Sequence, residues 1–144
     1  MAFEEQREAQ LGVLRAKRVG VLVTIKKDGR PQLSNVGYGF DEVAGLIRIS
    51  VTDDRAKTRN LRRDPRASFY VSSDDMNTFL VAEGVAQLTP VAEDPHDATV
   101  DELVAHYRAV RGEHPDWAEF RAAMVADRRL LVRLPIDRMY GLSQ

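Results

Sequence analysis

The clearest structural signal in the chain lies in Val19–Val36, which reads VGVLVTIKKDGRPQLSNV. Its first half alternates β-branched side chains with other residues, which predicts a strand over Val19–Lys26. Asp28-Gly29 follows, and this dipeptide is the strongest short-range signal for a tight hairpin turn. Pro31 is tolerated at the start of the return strand, because the first residue of a strand does not need its N–H group. We therefore predict an antiparallel hairpin whose second strand runs to about Phe40.

Outside this hairpin, the same alternation recurs in four further segments. We predict strands at 46–51, 67–72, 78–88 and 130–140, with Gly84 marking a bulge or a bend. The connections between strands are hairpins or crossovers too short for parallel βαβ units, so the strands should pair antiparallel. The expected fold is mainly β, a six-stranded antiparallel barrel with helices packed outside it.

Helices are predicted in three regions of the chain. Residues 4–18 place apolar side chains on one helical face. Asp53 is a suitable N-cap for a short helix, and Pro65 ends that helix because the residue before a proline avoids helical geometry. The acidic region after Pro90 has the spacing of two more helices. No repeat or linker interrupts the chain, so we expect a single domain over residues 1–144.

The composition excludes several classes of chemistry. The chain has 144 residues and no cysteine, which removes disulfides, thiolate nucleophiles, zinc–thiolate sites and iron–sulfur clusters. The segment MAFEEQREAQ lacks the basic and apolar regions of a signal peptide. No apolar run approaches the ~20 residues that span a bilayer. We therefore expect a cytoplasmic protein.

The net charge of −1 conceals two segments of opposite charge. Residues 55–66 contain six basic side chains and one acidic side chain. Residues 67–107 contain eight acidic side chains and neither lysine nor arginine. A basic block inside a nearly neutral chain indicates a local anion site, and the acidic segment argues against nucleic acid as a partner. The alternative, a solvated basic face that keeps the protein soluble, stays open.

Familiar catalytic and metal-binding motifs are missing from the sequence. There is no GxGxxG, no GxxxxGK[ST] and no GxSxG. The three histidines, His96, His106 and His114, do not have the spacing of metal ligands. We predict no metal ligand and nominate no catalytic side chain.

The basic block begins where a predicted strand passes into a predicted helix. The first backbone N–H groups of a helix have no partner within the helix, and they attract anions. Arg55 and Lys57 lie in this first turn, where a cation is unfavourable to the helix dipole unless an anion binds. Ser50 and Thr58 add hydroxyl groups. The local pattern therefore predicts a phosphate site.

Four segments together resemble a known family: Val19–Val36, RAKTRNLRRDPRAS at Arg55–Ser68, VAEGVAQLTP at Val81–Pro90, and Tyr140–Leu142. They resemble the flavin- and deazaflavin-binding split β-barrel family that includes pyridoxamine 5′-phosphate oxidase. The chain is most similar to the actinobacterial branch that uses the deazaflavin coenzyme F-420. The resemblance implies an oxidoreductase of the FMN-binding split-barrel type that transfers a hydride to a small organic acceptor. It also implies a homodimer with one cofactor in each of two clefts between the subunits.

The resemblance also assigns cofactor-binding residues by position. It implies that Arg55, Lys57, Thr58 and the backbone of Ala56 hold the phosphate. Ser50 and Ile49 would lie beside the ribityl chain, and the ring would be lined by Pro31, Gln32, Asn35 and Val36.

Two features bear on the choice of cofactor. FMN ends in one phosphate, which about two cations and a helix N-terminus can bind. The deazaflavin carries a phosphodiester and an oligoglutamate tail, and the surplus cations Lys26, Lys27 and Arg30 on the first hairpin suit such a tail. F-420 is therefore the expected cofactor. The alternatives are an FMN-binding oxidoreductase or oxidase, and a non-enzymatic protein that stores or carries a cofactor.

Overall fold

The structure is a computed structural model that describes residues 3–143, which form four helices and nine strands. The helices are α1 (Phe3–Ala16), α2 (Ala56–Arg63), α3 (Ala98–Arg111) and α4 (Trp117–Ala126). The strands are β1 (Val19–Ile25), β2 (Pro31–Gly37), β3 (Gly39–Asp41), β4 (Leu46–Thr52), β5 (Arg66–Ser72), β6 (Phe79–Val85), β7 (Gln87–Leu88), β8 (Arg129–Pro135) and β9 (Arg138–Leu142).

The strands form two antiparallel sheets, one on each side of the main core. The five-stranded sheet has the order β2-β1-β5-β6-β9, and the four-stranded sheet has the order β3-β4-β8-β7. Alternation along each strand sends apolar side chains such as Leu22, Ile49, Phe69 and Leu134 into the space between the sheets, where they are fully buried. The predicted class, mainly β with flanking helices in the arrangement of a split barrel, is confirmed.

The count of six strands was wrong, because three of the predicted strands are each divided in two. The breaks fall at Tyr38, Ala86 and Ile136-Asp137, and at each of them the chain passes from one sheet to the other. The backbone N–H groups at the breaks bond outside the regular ladder; that of Ala86, for example, donates to the carbonyl of Pro65 over 2.8 Å. A strand that turns a corner between sheets keeps its apolar alternation. The alternation of apolar residues therefore continues through each break, and each divided strand was predicted as a single one.

The first hairpin forms as predicted. β1 and β2 pair antiparallel from Val19 opposite Gly37 to Ile25 opposite Pro31. Gly29 closes the turn with a φ of 88°, a left-handed conformation that glycine adopts without strain.

The bulge, one of the two features predicted at Gly84, does not form. The pairing of β5 with β6 continues without interruption through Ala67 opposite Gly84 and Arg66 opposite Val85. A Cβ atom at Gly84 would lie 2.0 Å from the carbonyl oxygen of Pro135 in β8. The glycine therefore permits a close approach between strands of the two sheets.

Helices pack against both sheets. α1 packs against β5, β6 and β9, and its Leu14 is fully buried in the main core. α3 and α4 pack against β8, where Leu131, Leu103 and Phe120 belong to a second apolar cluster. None of the helices formed by residues 3–143 combines the length and the apolar character of a membrane span.

Candidate cofactor site

The junction of β4 and α2 presents free backbone donors, as the sequence predicted. The N-cap of α2 is Arg55 and not the predicted Asp53, and Arg55 makes no side-chain capping hydrogen bond. Its carbonyl oxygen accepts the N–H groups of Thr58 and Arg59, over 3.1 and 3.2 Å. Among residues 3–143, the N–H groups of Ala56 and Lys57 have no hydrogen-bond partner. This helix N-terminus can therefore accept an anion.

Half of the basic block has a structural role. Arg62 forms an ion pair with Asp53 over 2.6 Å, and Asp53 also pairs with Arg128 over 3.0 Å. Arg66 pairs with Asp64 over 2.7 Å. These contacts satisfy two of the six cations inside the chain, and a third, Arg63, donates to the carbonyl of Ile25 over 2.9 Å.

The other half is not neutralised. Within residues 3–143, no ion pair forms at Arg55, Lys57 or Arg59, although ion pairs surround them on α2 and in the preceding loop. The unpaired cations lie towards the N-terminal end of α2, next to the free N–H groups.

Arg129 joins this group from the start of β8. β4 and β8 pair with Thr52 opposite Arg129, and Nη1 of Arg129 lies 3.4 Å from the hydroxyl oxygen of Ser50. Its Nε is buried and has no hydrogen-bond partner among the described residues. A buried guanidinium N–H without a partner is unfavourable by roughly 1–3 kcal/mol, which a bound acceptor would recover. We call Arg55, Lys57 and Arg129 the cation cluster.

Electrostatics within the cation cluster are repulsive. The pKa of Lys57 is lowered from its usual value, mainly because the amine is partly buried and further because Arg55 and Arg129 are close. A phosphate or phosphodiester would reverse both effects by supplying negative charge and hydrogen-bond acceptors. Sequence reasoning missed Arg129, because only the pairing of β4 with β8 brings it to α2.

Thr58 and Asn60 hold α2 in place. Thr58 is fully buried and its hydroxyl donates to the carbonyl of Thr52 over 2.7 Å. Both donors of Thr58 are thus engaged within the chain, and its part in the site is to fix the helix on β4. The Nδ2 group of Asn60 donates to Oγ1 of Thr24 over 3.1 Å and to Oε1 of Gln32 over 2.6 Å. Asn60 was not predicted, and it joins α2 to the first hairpin.

The four residues expected to line the ring do not share one face of β2. Pro31 and Asn35 are exposed on the outer face of the five-stranded sheet. Gln32 points to the opposite side, towards Asn60, and Val36 is buried. Successive side chains of a strand alternate between its faces, so a flat strand cannot present all four to one ligand. Ile49 is likewise fully buried in the core, which leaves only its backbone to a ligand.

Beside Ser50 and Arg129 lies a cleft of about 700 Å³. It opens between the sheets on one side and α3 and α4 on the other. Of the ten predicted cofactor-binding residues, Ser50 alone is among the described residues that line it. The other lining residues are Arg18, Val19, Gly37, Tyr38, Leu103, His106, Tyr107, Val110, Arg111, Phe120, Met124 and Arg129. The cleft thus extends the candidate site from the cation cluster across the outer side of β4 to the acidic helical region.

His106 lies in this cleft wall as a neutral imidazole. Burial, aided by the nearby charge of Arg48, lowers its pKa from 6.5 to about 4, and Glu102 opposes the shift. Within residues 3–143, no three His, Asp or Glu side chains gather in the manner of a metal site.

Comparisons with known proteins agree with this architecture. The profile of the pyridoxamine 5′-phosphate oxidase family matches residues 6–142. A match over nearly the whole chain shows membership: the chain belongs to the pyridoxamine 5′-phosphate oxidase family.

Solved structures show the same fold. The conserved hypothetical protein Rv2991 of Mycobacterium tuberculosis is 25% identical with a TM-score of 0.71, over 99% of this chain and 85% of that one. An F420 reductase is 22% identical with a TM-score of 0.68, over 90% of this chain and 94% of that one. A FAD-binding protein of Mesorhizobium loti is 19% identical with a TM-score of 0.65, over 94% and 90% of the two chains. At these identities, the last two show a shared fold.

Proposed function

We propose that this protein is an oxidoreductase that binds coenzyme F-420 and directs a hydride to a small organic acceptor. The observation that carries the proposal is the cation cluster at the N-terminus of α2. Family membership supports a flavin-type cofactor, and the similarity to an F420 reductase supports the deazaflavin by fold alone.

The residues present suit a phosphodiester. Arg55, Lys57 and Arg129 would supply the positive charge, and the N–H groups of Ala56 and Lys57 would supply directed donors. Charge-assisted hydrogen bonds of this kind are roughly twice as strong as neutral ones. The buried, unpartnered Nε of Arg129 is the clearest sign that an acceptor belongs here.

Further cations remain for an acidic tail. Arg59 on α2 is exposed, as are Lys26, Lys27 and Arg30 around the first hairpin turn. Within the described chain, none of these four forms an ion pair, whereas Arg15, Arg48, Arg108 and Arg133 elsewhere do. A single phosphate, as in FMN, leaves this second group of cations without a ligand.

When bound, the reduced deazaflavin would supply a hydride to an electron-poor double bond, and the product would take its proton from solvent. The cation cluster and the N–H groups of Ala56 and Lys57 would hold the phosphate group of the deazaflavin. No catalytic side chain is assigned, since hydride transfer requires none.

The resemblance to the split β-barrel family also supports a homodimer. The outer face of the five-stranded sheet carries an apolar row that includes Val21, Tyr70, Val81 and Tyr140, which lie side by side across β1, β5, β6 and β9. Leu33 on β2 is 62% exposed and Tyr140 is 53% exposed. Contiguous exposed apolar surface of this kind marks an interaction site. We propose that two copies pair through this face in a twofold dimer, with the cofactor between them.

Cofactor identity is tested by fluorescence titration of the purified protein with oligoglutamylated F-420 and, in parallel, with FMN. We expect F-420 to bind more tightly at low salt and to lose affinity as salt screens the exposed cations. A preparation that is yellow with a flavin spectrum, or that prefers FMN, would contradict the assignment. Binding without hydride transfer to any electron-poor acceptor would favour a carrier role.

A further inference from the structure

The cleft beside the cation cluster has the character of a binding site in its own right. Leu103, Tyr107, Phe120 and Met124 of α3 and α4 give it an apolar wall. The charged groups among its described lining residues are all arginines, and no carboxylate lines it. An apolar cavity of about 700 Å³ is in the size range of small-molecule sites.

Two of these arginines are available to a ligand. Arg111 and Arg18 are exposed, and neither has an ion-pair partner within residues 3–143. The guanidinium of Arg111 lies 6.0 Å from the centroid of the Tyr107 ring, at the edge of the apolar wall. Arg108, on the same helix, differs because it pairs with Glu113 over 3.0 Å and stacks over Trp117. The positive charge near this cleft is therefore concentrated on side chains that face no acid.

The third arginine joins the cleft to the candidate cofactor site. Arg129 lines the cleft and belongs to the cation cluster, and it approaches the Ser50 hydroxyl group, which also lines the cleft. His106 contributes a hydrogen-bonding group without charge, because burial keeps its imidazole neutral at pH 7. The site thus presents an apolar wall, a neutral polar group and a positive rim.

We propose that this cleft binds a small organic anion whose apolar ring packs on Tyr107, Phe120 and Met124 and whose carboxylate meets Arg111 and Arg18. A ring matches the aromatic and thioether wall, and a carboxylate matches arginine by geometry as well as by charge. The role of this anion as the hydride acceptor rests on the proposed function. Its binding does not require the cofactor.

The test uses cofactor-free protein and equilibrium dialysis with naphthoate, which is measured by its own absorbance. The comparison ligands are naphthamide, which keeps the ring and removes the charge, and acetate, which keeps the charge and removes the ring. We expect saturable naphthoate binding, with naphthamide at least roughly tenfold weaker and with no competition by acetate at equal concentration. Equal affinity for naphthoate and naphthamide would overturn the proposal.

Matched variants on α3 locate the contact. Arg111→Gln should weaken naphthoate binding by roughly tenfold, the scale of one charge-assisted contact. Arg108→Gln is the control on the same helix. It removes an arginine that already pairs with Glu113, so this variant should bind naphthoate as the wild type does. Circular dichroism confirms that both variants fold. An Arg111→Gln protein with unchanged affinity would refute the assigned carboxylate contact.

Titrations with F-420 and with naphthoate in parallel distinguish a failure of the cleft proposal from a failure of the cofactor proposal. If naphthoate binds while F-420 does not, the cleft assignment stands and the cofactor proposal fails. If F-420 binds while naphthoate does not, the reverse holds. We expect both to bind together; mutual exclusion would overturn the acceptor role, because the cleft would then hold the cofactor itself.

Discussion

Lys57 is held in a position that is electrostatically unfavourable for a lysine. Its amine is partly buried, it lies close to Arg55 and Arg129, and its pKa is lowered as a result. Because burial and like charge both disfavour the ammonium, the folded chain alone gains nothing from a lysine here. The arrangement becomes favourable only when an anion binds, so Lys57 is the residue whose removal bears most directly on the proposed phosphate site.

Gly84 and Gly12 differ in the space that is available to a Cβ atom. Gly84→Ala would place a methyl group 2.0 Å from the Pro135 carbonyl oxygen, so strands of the two sheets would have to separate. We expect a loss of roughly 1–3 kcal/mol in the free energy of unfolding, or more, measured by urea denaturation. Gly12→Ala is the control, since no neighbouring atom lies within 4 Å of a Cβ atom there. It should stabilise α1 by roughly 0.5–1 kcal/mol. A Gly84→Ala protein as stable as wild type would refute the close approach.

The lowered pKa of His106 predicts a pH dependence of stability. The folded pKa of about 4 lies below the unfolded value of 6.5, so between these values the unfolded chain binds more protons. Stability should therefore rise with pH across this window and stop changing, for this group, above it. The gain is at most about 3 kcal/mol.

Denaturation curves at several pH values measure this slope. His106→Gln should flatten the rise between pH 4 and 6.5, whereas His96→Gln, an exposed residue before α3, should retain it. An unchanged slope in His106→Gln would mean that the imidazole is not buried as described.

At the scale of elements, α2 is positioned by polar contacts and only slightly by apolar ones. Leu61 is its buried apolar residue, while Asn60 contacts Thr24 and Gln32, and Thr58 contacts Thr52. These bonds attach the helix to both sheets, because Thr24 and Gln32 lie in one sheet and Thr52 in the other. Two buried side chains, Thr58 and Asn60, thus fix the helix whose N-terminal end carries Arg55 and Lys57 of the cation cluster.

Asn60→Ala tests this dependence. The substitution leaves the Thr24 and Gln32 side chains without their donor and removes the acceptor of Arg63, which lies 3.0 Å away. We expect a loss of roughly 1–3 kcal/mol in unfolding free energy. We also expect weaker binding of F-420, because the N-terminus of α2 would no longer be held. Arg59→Ala, an exposed change on the same helix, should leave stability within about 0.5 kcal/mol of wild type. Unaltered stability of Asn60→Ala would show that the network does not carry the helix.

The elements also show what the sequence can and cannot predict. The hairpin at Val19–Val36 was predictable, because its turn residues act over a few positions. Asp53 was the wrong choice as N-cap of α2, because its carboxylate pairs with Arg62 and Arg128 and the helix begins two residues later than expected. The corners at Tyr38 and Ala86 were not predictable, since alternation continues through a change of sheet. Arg129 was also beyond local reasoning: it adjoins a predicted strand and acquires its place only through pairing with β4.

At the scale of the whole molecule, the outer face of the five-stranded sheet is the surface that we propose as the dimer interface. We expect the protein to sediment as a dimer. Tyr140→Asp places a charge within the apolar row and should shift the protein to monomers, because an unpaired charge is costly to bury. Val43→Asp is the control, since Val43 is fully exposed in the turn between β3 and β4, away from this sheet. Analytical ultracentrifugation measures both; a monomeric wild type, or a dimeric Tyr140→Asp protein, would contradict the proposed interface.

The central claim is that the cation cluster holds the phosphodiester of F-420. The most direct measurement compares the affinity of the wild type for F-420 with its affinity for the same deazaflavin lacking the phosphodiester and tail. Lys57→Ala is titrated in parallel, with Arg7→Ala as the control, since Arg7 is an exposed cation on α1 and belongs to neither proposed group of ligand-binding cations. We predict that F-420 binds more tightly than the truncated compound and that Lys57→Ala loses roughly 1–3 kcal/mol towards F-420 alone, with its fold intact. Equal affinities for the two compounds, or a Lys57→Ala protein that binds F-420 as the wild type does, would contradict the account.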